Sequence, residues 1–181
     1  MNEHICYNAH MHRAFLLILS LIWWWQPLVA AKKAPNFKLR SLSGQEVSLD
    51  SLLNEGVVVL DFWATWCTYC DENLDLLQDI VDNYGGKVIL VAVSVDNTRT
   101  ISKVRSIVRS HKWKFPILLD TNQKVKKLYK VFALPTTFVI DQKGEIVYRK
   151  IGYSPSQERK VRKKMIKVLH ETLSSSTKKE D

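Results

Sequence analysis

The sequence predicts one α/β domain in which helices flank a mixed central β-sheet. Two segments predict the centre of that sheet, because Val57–Phe62 and Lys87–Val95 are almost continuous apolar runs rich in β-branched residues. Such runs are typical of strands that are buried on both faces. Segments with apolar residues at helical spacing alternate with these strands, and this alternation indicates a layered α/β architecture.

The remaining elements follow from periodicity and from turn residues. Apolar and polar residues alternate around Ser43–Gly44, which predicts an N-terminal β-hairpin over Phe37–Leu49. A helix is predicted from Cys67 to Tyr84, where two glycines stop it. The later elements are a basic amphipathic helix at Thr98–His111, a strand at Phe115–Asp120, a helix at Lys124–Val131, strands at Thr136–Asp141 and Glu145–Ile151, and a final helix from about Ser156 to Leu173. Residues 174–181 are predicted to be a disordered polar tail.

Composition and charge restrict the class of protein. The chain has 181 residues, of which 46% are hydrophobic, and this suits a globular domain and excludes a largely disordered chain. The formal net charge is +9, with much of the excess in Arg99–Lys130 and Arg159–Lys167. No nucleic-acid motif accompanies it, so no nucleic-acid partner is expected. The basic segments are interpreted as solvated helix faces, or as a surface for a membrane or an acidic partner.

The N-terminus has the order of an export signal. Arg13 precedes an apolar run from Ala14 to Trp25, and the small residues of Leu28–Ala31 precede two lysines. Residues 1–31 are therefore predicted to be a signal peptide or an N-terminal membrane anchor, since residues 14–31 are just long enough to span a bilayer. Both alternatives place the domain in the periplasm or another extracytoplasmic space.

Three cysteines are present, Cys6, Cys67 and Cys70, and the last two form a C-x-x-C pair. A structural disulfide framework needs more pairs, and a zinc site needs further ligands at suitable spacing, so no metal is expected. Three-residue spacing at the start of a helix places both sulfurs on one face of its first turn. Because the helix N-terminus favours a thiolate, we interpret Cys67 as the nucleophile and Cys70 as the resolving thiol.

Acidic residues lie on both sides of the pair. Asp61 ends the predicted buried strand, and its carboxyl group there either points to solvent or is buried with a raised pKa. A buried Asp61 is able to exchange a proton with Cys70 as the disulfide opens and closes. Asp71 and Glu72 are interpreted as ordinary first-turn acids.

The segment Asp61–Cys70, with the sequence DFWATWCTYC, closely resembles the active-site segment of the thioredoxin superfamily. Leu134–Asp141 resembles the segment of that superfamily that contains a cis-proline. The Phe37–Leu49 hairpin and the helix–strand insert between Ser94 and Asp120 are similar to the exported TlpA/ResA/DsbE-like branch. The resemblance covers residues 35–173 and implies that they form one domain with a thioredoxin-like fold.

This resemblance implies a redox-active disulfide between Cys67 and Cys70, with Asp61 as a proton relay. It also implies that a cis peptide bond precedes Pro135 and faces the cysteines. Client proteins would then bind against Trp66, Leu134 and Pro135 through an added strand. The implied activity is thiol–disulfide exchange with clients that carry disulfides, favouring reduction, with cytochrome c maturation as one such process. A membrane electron donor of the DsbD/CcdA type is the implied partner, and no cofactor is expected.

Three positions depart from the branch. Thr68–Tyr69 separates the cysteines where a proline is common, and this dipeptide influences the redox potential. Asn73 stands where ResA-like proteins carry a glutamate, so that glutamate's role is not transferred. Asp75 replaces a proline that usually kinks the helix, so a straighter helix is expected.

Two alternative functions belong to related proteins. A peroxiredoxin-like thiol peroxidase needs a threonine three residues before its reactive cysteine, and Ala64 stands there instead. A Sco-like copper chaperone, which is not an enzyme, uses a C-x-x-x-C motif and a nearby histidine, for which His111 is the histidine in the middle of the domain. Peroxide consumption and a Cu(I) titration distinguish these alternatives.

Overall fold

The computed structural model describes residues 32–177 of the chain. Seven strands in this part form one sheet in the order β2-β1-β5-β4-β3-β6-β7. The strands are β1 (Lys38–Ser41), β2 (Glu46–Ser48), β3 (Val57–Trp63), β4 (Val88–Ser94), β5 (Ile117–Leu119), β6 (Thr136–Ile140) and β7 (Ile146–Ile151). The helices are α1 (Leu49–Leu53), α2 (Cys70–Val81), α3 (Ile101–His111), α4 (Lys124–Leu128) and α5 (Glu158–Thr177).

The strand β3 lies at the centre of the sheet. It pairs in parallel with β4 and antiparallel with β6, so the predicted mixed sheet is confirmed. All seven of its residues are buried, as a continuous apolar run predicts for a strand covered on both faces. The neighbours β5 and β7 extend the sheet, parallel to β4 and antiparallel to β6 respectively.

Alternation along β3 divides the core into two layers. Val58, Leu60 and Phe62 face one layer, which also contains residues of α1 and α4. Val57 and Val59 face the other layer, together with apolar residues of α2 and α5. Trp63 points to the same face of the sheet as Val57 and Val59, and it packs beside α2 and α3. Asp61 alternates in the same way, so its carboxyl group lies on the face of the sheet that α2 covers.

The predicted hairpin and insert are present. The antiparallel pair β1–β2 forms the N-terminal hairpin, and β1 pairs with β5 of the insert. The helix α3 and the strand β5 follow β4, as expected for the insert between Ser94 and Asp120. A 3₁₀ turn over Asp82–Tyr84 ends α2, and Gly85 takes the left-handed conformation that favours glycine at a helix end.

The ends of several elements differ from the prediction. The helix α1 was not predicted, because its five residues are too few to show a helical period. The final helix α5 begins at Glu158 and continues to Thr177, four residues past the predicted end at Leu173. The predicted export segment, residues 1–31, lies outside the described residues. Within residues 32–177, no helix combines the length and the apolar character that crossing a membrane requires.

Candidate active site

The loop between β3 and α2 carries both cysteines. A disulfide joins Cys67 to Cys70, with their Cα atoms 5.5 Å apart. The prediction that Cys67 begins the helix is wrong, since α2 begins at Cys70 and Tyr69 precedes it with φ −120° and ψ 15°. Cys67 instead lies in a turn, in which its amide donates to the Ala64 carbonyl at 3.1 Å. The three-residue spacing still closes the disulfide, because the turn brings the two sulfurs together.

The two sulfurs differ in burial. Cys70 is 1% exposed and packs in a cluster with Trp63 and Leu74, whereas Cys67 is only partly buried. The positive N-terminus of α2 lies at Cys70, so both sulfurs are close to a dipole that favours a thiolate. This arrangement exposes one sulfur for attack by a partner and keeps the other inside the domain.

Asp96 holds the loop against the end of β4. Its carboxylate, which is 2% exposed, accepts hydrogen bonds from the Thr65 amide at 2.9 Å and from the Thr65 hydroxyl at 2.7 Å. Ser94 and Thr100 donate to the same carboxylate at 3.0 and 3.1 Å. No local sequence pattern indicates Asp96, because its role depends on how β4 lies beside β3.

Asp61 lies inside the sheet. The strand continues through Phe62 and Trp63, so the prediction that Asp61 ends the strand is wrong, and the alternative of a solvent-directed side chain is excluded by its 0% exposure. Its Oδ1 atom accepts hydrogen bonds from the Thr137 hydroxyl at 2.6 Å and from the Asn73 amide at 3.0 Å. Its Oδ2 atom has no hydrogen-bond partner among the described residues.

Burial raises the pKa of Asp61 from 3.8 to about 7. The two hydrogen bonds and the positive charge of Lys150 act in the opposite direction and lower this pKa. An acid with this pKa accepts and releases protons near neutral pH, as a general acid or base requires.

A partly buried lysine, which no sequence pattern indicated, completes this polar network. The Lys150 ammonium group donates to Asn73 Oδ1 at 3.0 Å and to the Gly152 carbonyl at 2.6 Å. Burial lowers the pKa of Lys150, and the negative charge of Asp61 opposes that effect. Asp61, Thr137 and Lys150 occupy facing positions on three adjacent strands. Within this row the sequence signal is Asp61, the one charged residue of the otherwise apolar β3.

The predicted client-binding residues meet in a groove beside Cys67. The peptide bond between Leu134 and Pro135 is cis, in agreement with the family resemblance. The groove has a volume of about 330 Å³ and is lined by Trp66, Cys67, Thr68, Tyr69, Leu134, Pro135, Gly152 and Tyr153. Trp66 is 62% exposed, so its broad apolar ring is available at the rim of the groove. The Gly152 amide donates to the Pro135 carbonyl at 2.7 Å, which fixes two sides of the groove relative to each other.

Asp75 connects α2 to the end of α3. It accepts a hydrogen bond from the Trp113 indole at 2.6 Å, and its Oδ2 atom lies 3.0 Å from Nδ1 of His111. Nε2 of His111 lies 3.7 Å from Asp71, so this first-turn acid has a partner on α3. Within residues 32–177, no group of three or more His, Cys, Asp or Glu residues is placed to hold a metal ion.

Comparison with known proteins adds to this geometry. The profile of the AhpC/TSA family matches residues 30–149. The chain is 33% identical over 127 residues to the thiol-disulfide oxidoreductase ResA of Bacillus thuringiensis (strain Al Hakam), covering 70% of this chain and 72% of that protein. It is 30% identical over 154 residues to the sporulation thiol-disulfide oxidoreductase A of Bacillus subtilis (strain 168), covering 81% and 92%.

A solved structure is similar over most of the domain. It is a crystal structure assigned as a thiol:disulfide interchange protein DsbE from Chlorobium tepidum, with a TM-score of 0.68 and 26% identity. The match covers 77% of this chain and 96% of that chain. This similarity confirms the predicted thioredoxin-like fold.

We expect the substitution Asp61→Asn to change how stability depends on pH. The carboxyl group ionises near pH 3.8 in the unfolded chain but at about 7 in the folded one, so the folded state loses stability as pH rises through this window. Asparagine stays neutral and retains an oxygen for Thr137 and Asn73. The free energy of unfolding of the variant should therefore rise relative to wild type between pH 4 and pH 7, by up to about 4 kcal/mol.

Denaturant unfolding of the oxidised proteins at a series of pH values measures this difference. The exposed substitution Asp82→Asn serves as the control, for which no such rise is expected. A constant offset between wild type and Asp61→Asn at every pH would contradict the buried, raised-pKa carboxyl group.

Proposed function

Since this chain belongs to the AhpC/TSA family and its relatives are thiol-disulfide oxidoreductases, we propose that its Cys67–Cys70 pair exchanges electrons with disulfides of client proteins. The observation that carries this proposal is the unequal burial of two linked sulfurs beside a groove. Cys67 lines that groove and Cys70 is 1% exposed. A client segment in the groove reaches the first sulfur but not the second.

The reductive half-reaction begins with both cysteines reduced. The Cys67 thiolate attacks one sulfur of the client disulfide, which forms a mixed disulfide and releases the other client sulfur as a thiolate. The Cys70 thiol loses its proton and attacks the Cys67 sulfur. The Cys67–Cys70 disulfide forms, the second client thiolate leaves, and two electrons have passed to the client.

Asp61 is proposed to receive the proton of Cys70. Burial of the carboxyl group, which raises its pKa, supports this role. The Oδ2 atom has no hydrogen-bond partner among the described residues, and the side chain lies on the sheet face that α2 covers. Asn73 lies three residues after Cys70 in α2 and bonds to Asp61, so the carboxyl group is tied to the helix turn that carries the resolving cysteine. Lys150 acts as a positioning residue, because it bonds to Asn73 and its charge lowers the pKa of Asp61.

Replacing each cysteine with serine should distinguish the roles of the two sulfurs. We expect Cys67→Ser to abolish the reduction of a disulfide peptide, because the accessible nucleophile is lost. Cys70→Ser should instead accumulate a mixed disulfide through Cys67, because resolution is lost. Mass spectrometry of the quenched reactions measures both species, and accumulation in Cys67→Ser rather than Cys70→Ser would reverse the proposed roles.

The pH dependence of resolution should report on Asp61. In wild type we expect the resolution rate to rise with pH around 7, as Asp61 ionises and becomes a base. Asp61→Asn should remove this rise of the rate around pH 7 and slow resolution near neutral pH. Lys150→Met removes a charge that lowers the Asp61 pKa, so the midpoint should move upward by about one pH unit.

Rapid-quench measurement of mixed-disulfide decay at each pH tests this relay. Lys127→Met, an exposed substitution on α4, is the matched control for the loss of one positive charge. An identical pH–rate profile in wild type and Asp61→Asn would eliminate Asp61 as the proton acceptor.

Reduction is the proposed direction of electron flow. The resemblance of the sequence to the exported TlpA/ResA/DsbE-like branch supports it, and the reduction potential of the Cys67–Cys70 couple tests it. A reductase should equilibrate near the thioredoxin end of the range, at about −270 mV, and a value near about −120 mV would instead indicate disulfide formation.

Export of the domain is proposed from residues 1–31, which have the order of a signal peptide or membrane anchor. Outside the cytoplasm the pair needs a source of electrons, for which a DsbD/CcdA-type membrane protein is the proposed donor. Proteins that carry disulfides are the proposed clients, with cytochrome c maturation as one such process. Cell fractionation tests the location, and the proteins that Cys70→Ser traps in cells test the donor and clients; trapped proteins confined to the cytoplasm would overturn this part of the proposal.

A further inference from the structure

A second groove adjoins the active-site groove on the side of β7 and α5. It has a volume of about 340 Å³ and shares Gly152 and Tyr153 with the active-site groove, so the two are continuous. Three lysines line it, Lys150, Lys160 and Lys164. We call this feature the lysine groove.

Aromatic rings form part of its wall. The Lys164 ammonium nitrogen lies 6.0 Å from the centre of the Tyr148 ring, and that of Lys150 lies 5.3 Å from the centre of the Tyr153 ring. Cation–π attraction at such distances holds an ammonium group over a ring. The charges of Lys150 and Lys164 are therefore kept beside the groove.

Two of the three charges have no acidic partner in the described part of the chain. Lys160 and Lys164 are exposed, and neither is within 4.0 Å of a carboxylate there. Lys167 on the same helix differs in this respect, since it lies 3.6 Å from Glu171. The lysine groove thus places two positive charges without an acidic partner in a groove that adjoins the one lined by Cys67.

Acidic groups also approach this region and limit where an anion can bind. Glu158 and Glu72 both act on Tyr153 and raise its pKa, although burial is the larger cause. Glu158 is bound to Arg162 at 3.3 Å, which offsets its charge. An anion is therefore favoured at the Lys160–Lys164 end of the groove, away from Glu72 on α2.

We propose that the lysine groove binds an acidic side chain of the client segment whose disulfide occupies the active-site groove. This inference rests on the proposed thiol–disulfide exchange. A polypeptide bound at Cys67 extends past Gly152 and Tyr153 into the lysine groove, so a glutamate or aspartate a few residues from the client cysteine reaches the lysines. The volume is at the lower end of the range for ligand pockets, about 300–1,000 Å³, and suits one or two side chains.

Matched peptides test this selectivity. Each carries one intramolecular disulfide and differs only in having glutamate, glutamine or lysine two to four residues before or after the cysteines. The second-order rate constant for their reduction by the reduced protein gives a glutamate-to-glutamine ratio. When the glutamate lies on the side of the client cysteines that faces the lysine groove, we expect a glutamate-to-glutamine ratio of about three to ten, because each exposed ion pair contributes a small free energy. A lysine at the same position should be repelled, so the lysine-to-glutamine ratio should be below one. High salt should bring both ratios towards one.

The double substitution Lys160→Gln/Lys164→Gln should bring the glutamate-to-glutamine ratio to about one. Lys163→Gln/Lys167→Gln removes the same charge from the same helix outside the groove and should keep the wild-type ratio. Equal ratios for all peptides in wild type, or an equal loss in both double variants, would overturn the proposal. The wild-type rate with the glutamine peptide reports separately on thiol–disulfide exchange, so failure of the proposed function is visible as no reduction of any peptide.

Discussion

Pairing of β3 with strands on both sides, under apolar layers on both faces, excludes water from the middle of the sheet. A carboxyl group placed there loses its hydration, and this raises the pKa of Asp61 to about 7. Thr137 and Asn73 replace only part of the lost hydration, since both bond to the same oxygen. The rest of the site is arranged around this one buried acid, with Asn73 supplied by α2 and Lys150 by β7.

The same strand determines the difference between the two sulfurs. Because β3 runs directly into the loop before α2, the first residue of that helix is drawn into the core against Trp63, and Cys70 is buried. Cys67 lies in the turn outside the helix and stays accessible. Asp96 holds this turn from the end of β4, so the position of Cys67 depends on the pairing of β3 with β4.

Segments far apart in sequence form the surface that faces a client. Trp66 comes from the cysteine loop, Pro135 from the start of β6, and Gly152 from the end of β7. The hydrogen bond from Gly152 to Pro135 joins the last two segments. Gly152 and Tyr153 also line the lysine groove, to which α5 contributes Lys160 and Lys164. In this way the basic character of Arg159–Lys167, which sequence analysis assigned to a solvated face or to a membrane or acidic partner, is placed partly next to the redox site.

Local sequence determined the central strands, the hairpin, the insert and the cysteine pair, because each depends on short-range periodicity or on neighbouring residues. It also indicated Asp61 and Pro135 through the resemblance of two short segments. Only the tertiary structure decided that Asp61 lies within its strand, that Asn73 and Lys150 bond to one another beside it, and that Asp96 anchors the loop. These contacts join residues 12 to 77 positions apart, so strand register and helix packing create them, and no local pattern specifies them.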